Sequence, residues 1–186
     1  MREIAKLSLV LVVITVVSAS LLGITNDVTK VIIDEKAMEA NIAYMKEILP
    51  EADTFKAIEN TNIKDIDAVE EAYEALKDNS TIGYVVKTVV SGYGGDIVQL
   101  TGINNDGLIA GIRIASQSET PGVGSKILED NFINQFVGNS TTKQFKVDKV
   151  GNDEDIIEII TGATISTKAA TDGVNVAIKL YEDLLK

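Results

Sequence analysis

The chain has 186 residues, enough for one ordinary domain whose core can close without disulfides. It contains 17 basic and 28 acidic residues, and its formal net charge of −11 disfavours binding to nucleic acid phosphates. It has no Cys and no His, which excludes thiol catalysis, disulfides, Cys/His zinc sites, thiolate-ligated clusters and a Ser-His-Asp triad. We therefore expect its reactivity to come from a bound cofactor.

The first predicted element is a membrane-spanning helix. Residues 7–26 are uncharged, and about 20 residues of helix span about 30 Å, the thickness of membrane hydrocarbon. Arg2 and Lys6 precede this run, and positive charges favour the cytoplasmic side. The small residues 18–20 would also suit cleavage of a signal peptide, but the apolar run continues beyond them. We therefore predict a retained anchor.

The predicted organisation has two parts. Residues 1–30 form a single-pass anchor in the inner (cytoplasmic) membrane, with a cytoplasmic N-terminus. Residues 31–186 form one extracytoplasmic domain, and no later segment of the sequence is long and apolar enough to span again.

The extracytoplasmic part combines helical and strand-like patterns. Apolar residues at helical spacing predict helices over 34–49, 67–76, 125–136 and 166–185. Runs rich in β-branched residues predict strands over 81–91, 96–106, 107–117, 145–150 and 156–160. Asn105-Asp106-Gly107 predicts a tight hairpin turn, and Gly138-Asn139 predicts a helix cap. The predicted fold class is α+β, with a small, twisted, largely antiparallel sheet packed by helices.

The first of three notable loops connects two predicted strands. It reads SGYGGD from Ser91 to Asp96, with three glycines in four residues. Such a backbone can approach a flat or charged ligand closely and offer it N–H groups. A tight connection between strands would also explain the pattern.

The second loop leads from a predicted strand to a predicted helix. It reads ETPGVG from Glu119 to Gly124, and its Pro-Gly pair is a turn signal. Exposed Glu119 and Thr120 could hydrogen-bond a ligand ring. A structural turn followed by a helix cap would explain the same residues.

The third loop precedes the last predicted helix. It reads TGATIST from Thr161 to Thr167, with four hydroxyl side chains in seven residues. The free N–H groups and the dipole at a helix N-terminus favour a phosphate there. Helix capping by Thr164 or Ser166 would also account for the hydroxyls.

These three loops carry a resemblance to a known family. TGATIST resembles the (S/T)GAT flavin-attachment motif of the FMN-binding domain found in the G-type component of the Rnf complex and the C-type component of sodium-pumping NADH:quinone reductase. SGYGGDI and ETPGVG resemble the GYGG and ETPGLG loops of that domain, in the same order. The family also has an N-terminal membrane helix before an extracytoplasmic domain. The likeness to the Rnf G-type component extends over essentially the whole chain.

The resemblance implies FMN joined covalently through its phosphate to Thr164, by a flavin transferase that uses FAD and magnesium. It implies that the flavin ring lies between two loops and the phosphate against the third, with Lys168 as a further candidate for a phosphate contact. No catalytic side chain and no metal ligand are implied. The implied cofactor-binding residues are Tyr93, Gly94, Gly95, Glu119, Thr120, Pro121, Gly122, Val123, Thr161, Gly162, Ala163, Thr164, Ser166 and Thr167.

The sequence departs from the family pattern at two positions. The transferase recognition pattern usually has Asp six residues before the acceptor, and here Glu158 keeps the charge with one more methylene. Many relatives have a His two residues before the Glu of the ETPG loop, where this chain has Gln117. We therefore expect flavinylation still, without a titrating side chain at position 117.

The predicted function is that of an electron-transfer subunit in a membrane-bound, ion-translocating ferredoxin:NAD oxidoreductase, a redox component rather than a complete enzyme. Its predicted partners are the other subunits and the flavin transferase. One alternative is the C-type component of sodium-pumping NADH:quinone reductase or another anchored FMN carrier. Another is a flavin-free anchored assembly module that uses the acidic run 153–155. A hydrolase using Lys126 or Lys168 as base lacks a nucleophile motif.

Overall fold

The computed structural model describes residues 2–59, 63, 66–149, 153 and 155–186. The chain divides into two compact units, Met1–Ala40 and Asn41–Lys186. The predicted division between residues 30 and 31 stays a prediction.

Helix α1 covers Arg2–Ile48. Its segment Lys6–Asn26 is long and apolar enough to cross a membrane, and none of it is buried in the protein. The hydroxyls of Thr15, Ser20 and Thr25 each donate to a backbone carbonyl of the preceding turn, at 2.8–2.9 Å. Hydroxyls satisfied inside the helix can enter hydrocarbon at low cost. The helix predicted over 34–49 is the last part of α1, and Pro50 follows it.

The second unit contains a five-stranded antiparallel sheet in the order β1-β2-β3-β4-β5. The strands are β1 Thr54–Ala57, β2 Val69–Lys77, β3 Ser80–Ser91, β4 Asp96–Asn104 and β5 Ile109–Ser116. The predicted strands over 81–91, 96–106 and 107–117 are confirmed as β3, β4 and β5, with Gly107 at φ 71° in the predicted hairpin turn. Strand β1 was not predicted.

The remaining elements follow β5. A 3-10 turn covers Gly124–Leu128, α2 covers Asp130–Ile133, β6 Lys146–Asp148, β7 Ile156–Glu158 and α3 Thr164–Leu180, which ends in a π turn, Tyr181–Leu185. Strands β6 and β7 pair in parallel. The strands predicted over 145–150 and 156–160 are confirmed in position, but each observed strand is shorter than its prediction. Val150, at the end of one predicted strand, lies outside the described residues.

The five-stranded sheet is covered on both faces. On one face, Met45, Ile48 and Leu49 pack against Tyr73 and other residues of the inner strands. On the other face lies α3, whose residues Ala170, Val174 and Ala177 are fully buried. Burial of these apolar side chains at about 25 cal/mol per Å² is the main stabilising contribution to the unit.

The helix predicted over 67–76 is wrong, because the structure has strand β2 there. Neighbouring side chains of β2 are buried on opposite faces: Ala72 packs on the α3 side and Tyr73 on the α1 side. Irregularities in pairing, between 69 and 71 and between 75 and 76, further break the alternation. A strand covered on both faces and bulged does not show period two, so its apolar residues mimic helical spacing.

The helix predicted over 125–136 is also wrong in extent. The chain is helical in two short pieces, and Glu129 between them is extended, with φ −75° and ψ 144°. Ile127 and Phe136 nevertheless belong to one buried cluster. The helical spacing of apolar residues therefore reflected a shared core, not a continuous helix.

Candidate functional site

A cavity of about 400 Å³ opens where the three motif loops meet. The β3–β4 connection, the loop after β5 and the N-terminus of α3 form its walls. The lining residues are Tyr93, Glu119, Thr120, Val123, Gly124, Gly162, Ala163, Thr164, Ile165 and Ser166. The fold thus brings together loops that are far apart in the sequence, as the motifs had indicated.

Among the residues that the structure describes, no side chain caps the N-terminus of α3. Ala163 occupies the cap position with φ −128° and ψ 41°, and it offers no side-chain acceptor. The preceding residue, Gly162, has φ 83°, a left-handed conformation that glycine adopts without strain. The first N–H groups of a helix have no partner within the helix, so this end can accept an anion.

The four hydroxyls of the TGATIST loop have different surroundings. Thr167 is fully buried, and its Oγ1 donates to the carbonyl of Ala163 at 2.8 Å and accepts from the N–H of Ile160 at 3.2 Å. Ser166 is buried, and its Oγ donates to Glu119 Oε2 at 2.5 Å. These two hydroxyls are therefore committed to contacts within the fold.

The other two hydroxyls of the loop are exposed but face different spaces. Thr161 lines a separate groove of about 250 Å³ together with Lys126 and Glu158. Thr164 lines the main cavity, and its hydroxyl makes no hydrogen bond with any residue that the structure describes. Thr164 is thus the exposed hydroxyl of this loop that lines the main cavity.

Glu119 connects two walls of the cavity. It is only 4% exposed, so the prediction of an exposed Glu119 is wrong, because both its oxygens bond within the fold. Its Oε1 accepts from the N–H of Gly94 at 3.0 Å, and its Oε2 accepts from Ser166. The N–H of Glu119 in turn donates to Gln117 Oε1 at 2.5 Å. Gln117 therefore orients the backbone of the loop through its side-chain amide oxygen.

Three glycines of the first two loops pack against the chain itself. A Cβ on Gly92 would lie 2.2 Å from Glu119 Oε1, and one on Gly124 would lie 2.6 Å from Glu119 Oε2. A Cβ on Gly94 would lie 2.1 Å from the carbonyl oxygen of Ser118. The sequence had suggested that glycines allow close approach of a ligand, whereas these three allow close approach of one loop to another.

Apolar side chains border the opening of the cavity. Tyr93 is 71% exposed, Ile165 53% and Val123 38%, although each is large and hydrophobic. Exposed apolar side chains around a concave site are typical of a surface that a ligand covers.

Not every predicted site residue lines the cavity. Tyr93, Glu119, Thr120, Val123, Gly162, Ala163, Thr164 and Ser166 do, whereas Gly94, Gly95, Pro121, Gly122, Thr161 and Thr167 do not. Lys168 is exposed and pairs with Asp172 at 2.6 Å. The prediction omitted Gly124 and Ile165, which are also lining residues and stand inside the quoted motifs.

The acidic run 153–155 lies between β6 and β7, and Glu154 falls outside the described residues. Among the described residues no group of three acidic side chains has an arrangement that could hold a metal ion.

Gly124→Ala measures how tightly the second loop packs on Glu119. A Cβ there would also meet Ser166 Oγ at 2.8 Å, so neighbours must move. We expect the free energy of unfolding to fall by about 1–3 kcal/mol, as for other overpacked sites. Urea unfolding of the detergent-solubilised chain measures this loss. Gly23→Ala is the matched control because nothing lies within 4 Å of its added Cβ, and equal behaviour of the two variants would contradict the tight packing.

Comparison with known proteins identifies related chains. The model of the FMN-binding domain matches residues 92–179, a segment that includes every residue lining the cavity. The G-type component of the Na(+)-translocating ferredoxin:NAD(+) oxidoreductase complex of Acetobacterium woodii is 38% identical, over 100% of this chain and 95% of that protein. The G-type component of the ion-translocating oxidoreductase complex of Methanosarcina acetivorans is 33% identical, over 95% of this chain and 94% of that protein.

A solved structure shares the fold. The C-type component of the Na(+)-translocating NADH-quinone reductase of Parabacteroides distasonis superposes with a TM-score of 0.53, at 24% identity and over 62% of each chain. At this level of identity the likeness concerns the fold alone.

Proposed function

We propose a function from one established premise: the chain belongs to the family of G-type components of ion-translocating ferredoxin:NAD(+) oxidoreductase complexes. It is an electron-transfer subunit of such a complex, and it holds FMN in the cavity at the N-terminus of α3. The related C-type component of sodium-pumping NADH:quinone reductase supports the same fold but matches a smaller share of this chain.

The residues present fit FMN. The cavity of about 400 Å³ lies within the range of about 300–1,000 Å³ that is usual for small-molecule sites. Tyr93, Val123 and Ile165 offer apolar surface to a flat ring, and the uncapped end of α3 offers N–H groups to a phosphate. FMN, when bound, supplies the electron transfer, and the chain has no Cys that could form a redox-active disulfide.

We propose that the attachment is covalent and that Thr164 is the acceptor. The observation that carries this assignment is the accounting of hydroxyls in the third loop: Ser166 and Thr167 are buried and bonded, and Thr161 faces another groove. A flavin transferase is the partner that forms the bond between Thr164 Oγ1 and the phosphate. In this exchange the pyrophosphate bond of FAD breaks, AMP leaves, and the hydroxyl proton passes to water.

The chain's own residues then stabilise the phosphate, cover the flavin ring and, through Thr164, retain the cofactor. The N–H groups of the first turn of α3 stabilise the phosphate charge beside Thr164. The loops at Tyr93 and Val123 cover apolar surface and exclude water. A covalent bond also prevents loss of the cofactor, which matters for a domain on the outer side of the membrane.

We propose the location on the same premise. The segment Lys6–Asn26 anchors the chain in the inner membrane as a single span, with the N-terminus in the cytoplasm and the FMN-binding domain outside. Attachment to the membrane keeps the domain close to the other components of the complex.

The test is to produce the full chain with and without a flavin transferase and to solubilise it in detergent. We expect the co-produced chain to gain the mass of FMN less one water and to keep flavin fluorescence after denaturation. A chain without this increment, under conditions that flavinylate a known acceptor, would overturn covalent attachment. Retention of FMN only before denaturation would support a non-covalent carrier instead.

A further inference from the structure

We propose that Glu119 is a positioning residue for the flavin: its carboxylate fixes the loop at Gly94 against the N-terminus of α3 and so sets the width of the cavity. This inference rests on the proposed function, because it assigns a role toward the same cofactor. Glu119 lies at the wall of the cavity and joins two segments that are distant in the sequence.

A carboxylate suits the geometry at this position. Both oxygens of Glu119 act as acceptors, one from a backbone N–H and the other from the hydroxyl of Ser166. A carboxylate accepts at both atoms, whereas an amide of the same shape has one acceptor and one donor. Gln at position 119 would therefore keep the size of the side chain but could accept only one of the two hydrogen bonds, and its amide group would face Ser166 as a donor, so the hydroxyl would have to turn and accept.

The surroundings are shaped around this carboxylate. Glycines at 92 and 124 leave room for its two oxygens, since a Cβ at either position would lie within 3 Å of one of them. Ser166 stands in the first turn of α3, two residues after Thr164, so the bond from Glu119 holds the turn that carries the acceptor hydroxyl.

Burial of this charge is costly for the fold. Glu119 forms no ion pair with any described residue, and an unpaired buried carboxylate destabilises a protein unless hydrogen bonds compensate. A Ser or Asn could join two loops at lower cost. The carboxylate is the side chain that holds both walls at once, and this is the contribution we assign to it.

The first measurement is hydrogen–deuterium exchange of the full chain in detergent, without FMN. We compare wild type with Glu119→Gln and Ser166→Ala, and we use Glu129→Gln as the matched control because Glu129 is exposed and lies outside the cavity. We expect faster exchange in segments 92–96 and 161–167 in Glu119→Gln, faster exchange in segment 161–167 in Ser166→Ala, and no change in the control. Unchanged exchange in both test variants would overturn the link between the two walls.

The second measurement separates positioning from mere stability. The same chains are flavinylated. For each we measure the quenching of the attached flavin by iodide and the midpoint potential of the flavin, and we compare both with wild type. We expect attachment about tenfold slower, the size of losing one hydrogen bond to a charged group. We also expect stronger quenching by iodide in both variants. The midpoint potential of the flavin should be more positive in Glu119→Gln, because a negative charge is lost. A double variant should be quenched no more strongly than the single ones, since both substitutions remove the same interaction. If quenching and potential stay at wild-type values, Glu119 has only a structural role.

The outcomes distinguish this inference from the proposed function. A wild type that never acquires FMN overturns the proposed function, and the positioning role with it. A flavinylated wild type with unchanged variants overturns positioning alone. If Glu119→Gln does not fold, Ser166→Ala still decides, because it removes one hydroxyl and leaves the bond between Glu119 and Gly94 in place.

Discussion

Replacing Thr164 by Val abolishes covalent FMN while leaving the fold intact. Val has nearly the shape of Thr but no hydroxyl, and Thr164 is exposed with no hydrogen bond to any described residue, so its loss removes no contact. We expect complete loss of the mass increment and of the fluorescent band after denaturation. We expect the free energy of unfolding without FMN to change by less than about 0.5 kcal/mol, as for other surface substitutions.

Two control variants test the choice of hydroxyl. Thr161→Val changes an exposed hydroxyl of the same loop that faces the neighbouring groove, and we expect it to keep the FMN increment. Thr164→Ser keeps a hydroxyl at the acceptor position and should also be flavinylated. Loss of FMN in Thr161→Val, with retention in Thr164→Val, would contradict our assignment and make Thr161 the acceptor.

Replacing Phe136 by Ala costs the domain about 3–5 kcal/mol of unfolding free energy, the usual range for a buried Phe. Phe136 is fully buried and contacts Phe132 and Phe145 edge to face, with ring centroids 5.4 and 5.2 Å apart. Its removal leaves a cavity in the largest buried cluster and loses both ring contacts. Chemical denaturation of the detergent-solubilised chain measures the change.

The neighbouring residue supplies the control. Val137 is 42% exposed, and we expect Val137→Ala to change the unfolding free energy by less than about 0.5 kcal/mol. Because Ile127 of the second loop's 3-10 turn belongs to the same cluster as Phe136, we also expect the destabilised variant to accept FMN less completely. A Phe136→Ala variant as stable as wild type would mean that this core is less tightly packed than the geometry shows.

The sequence predicted the strands that are rich in β-branched residues and failed at β2, whose sequence VEEAYEALK has one such residue, Val69. Strands β3, β4 and β5 and the turn at Gly107 followed from β-branched runs and a hairpin signal. Strand β2 was mistaken for a helix because Ala72 and Tyr73 are both buried, on opposite faces of the sheet. Local spacing cannot reveal that a second layer covers a strand.

The loops that meet at the cavity were predicted because they carry recognisable motifs, and their role in binding a cofactor stays a prediction. Tyr93, Thr120, Val123 and Thr164 line the cavity as the resemblance implied. The motifs did not reveal which hydroxyls are free, because that depends on contacts such as the one between Ser166 and Glu119, 47 residues apart. Nor could they reveal that Gly92 makes room for the side chain of Glu119. Such facts depend on distances across the fold.

The distribution of the cavity walls along the chain has a consequence for biosynthesis. The walls come from three separate segments, near residues 93, 119 and 164. The acceptor loop therefore meets its neighbours only after the ribosome has released all three segments and the sheet has closed. Under the proposed function, the flavin is enclosed on all three sides only in a fully folded domain, so its protection from solvent reports the native state whereas its covalent bond does not.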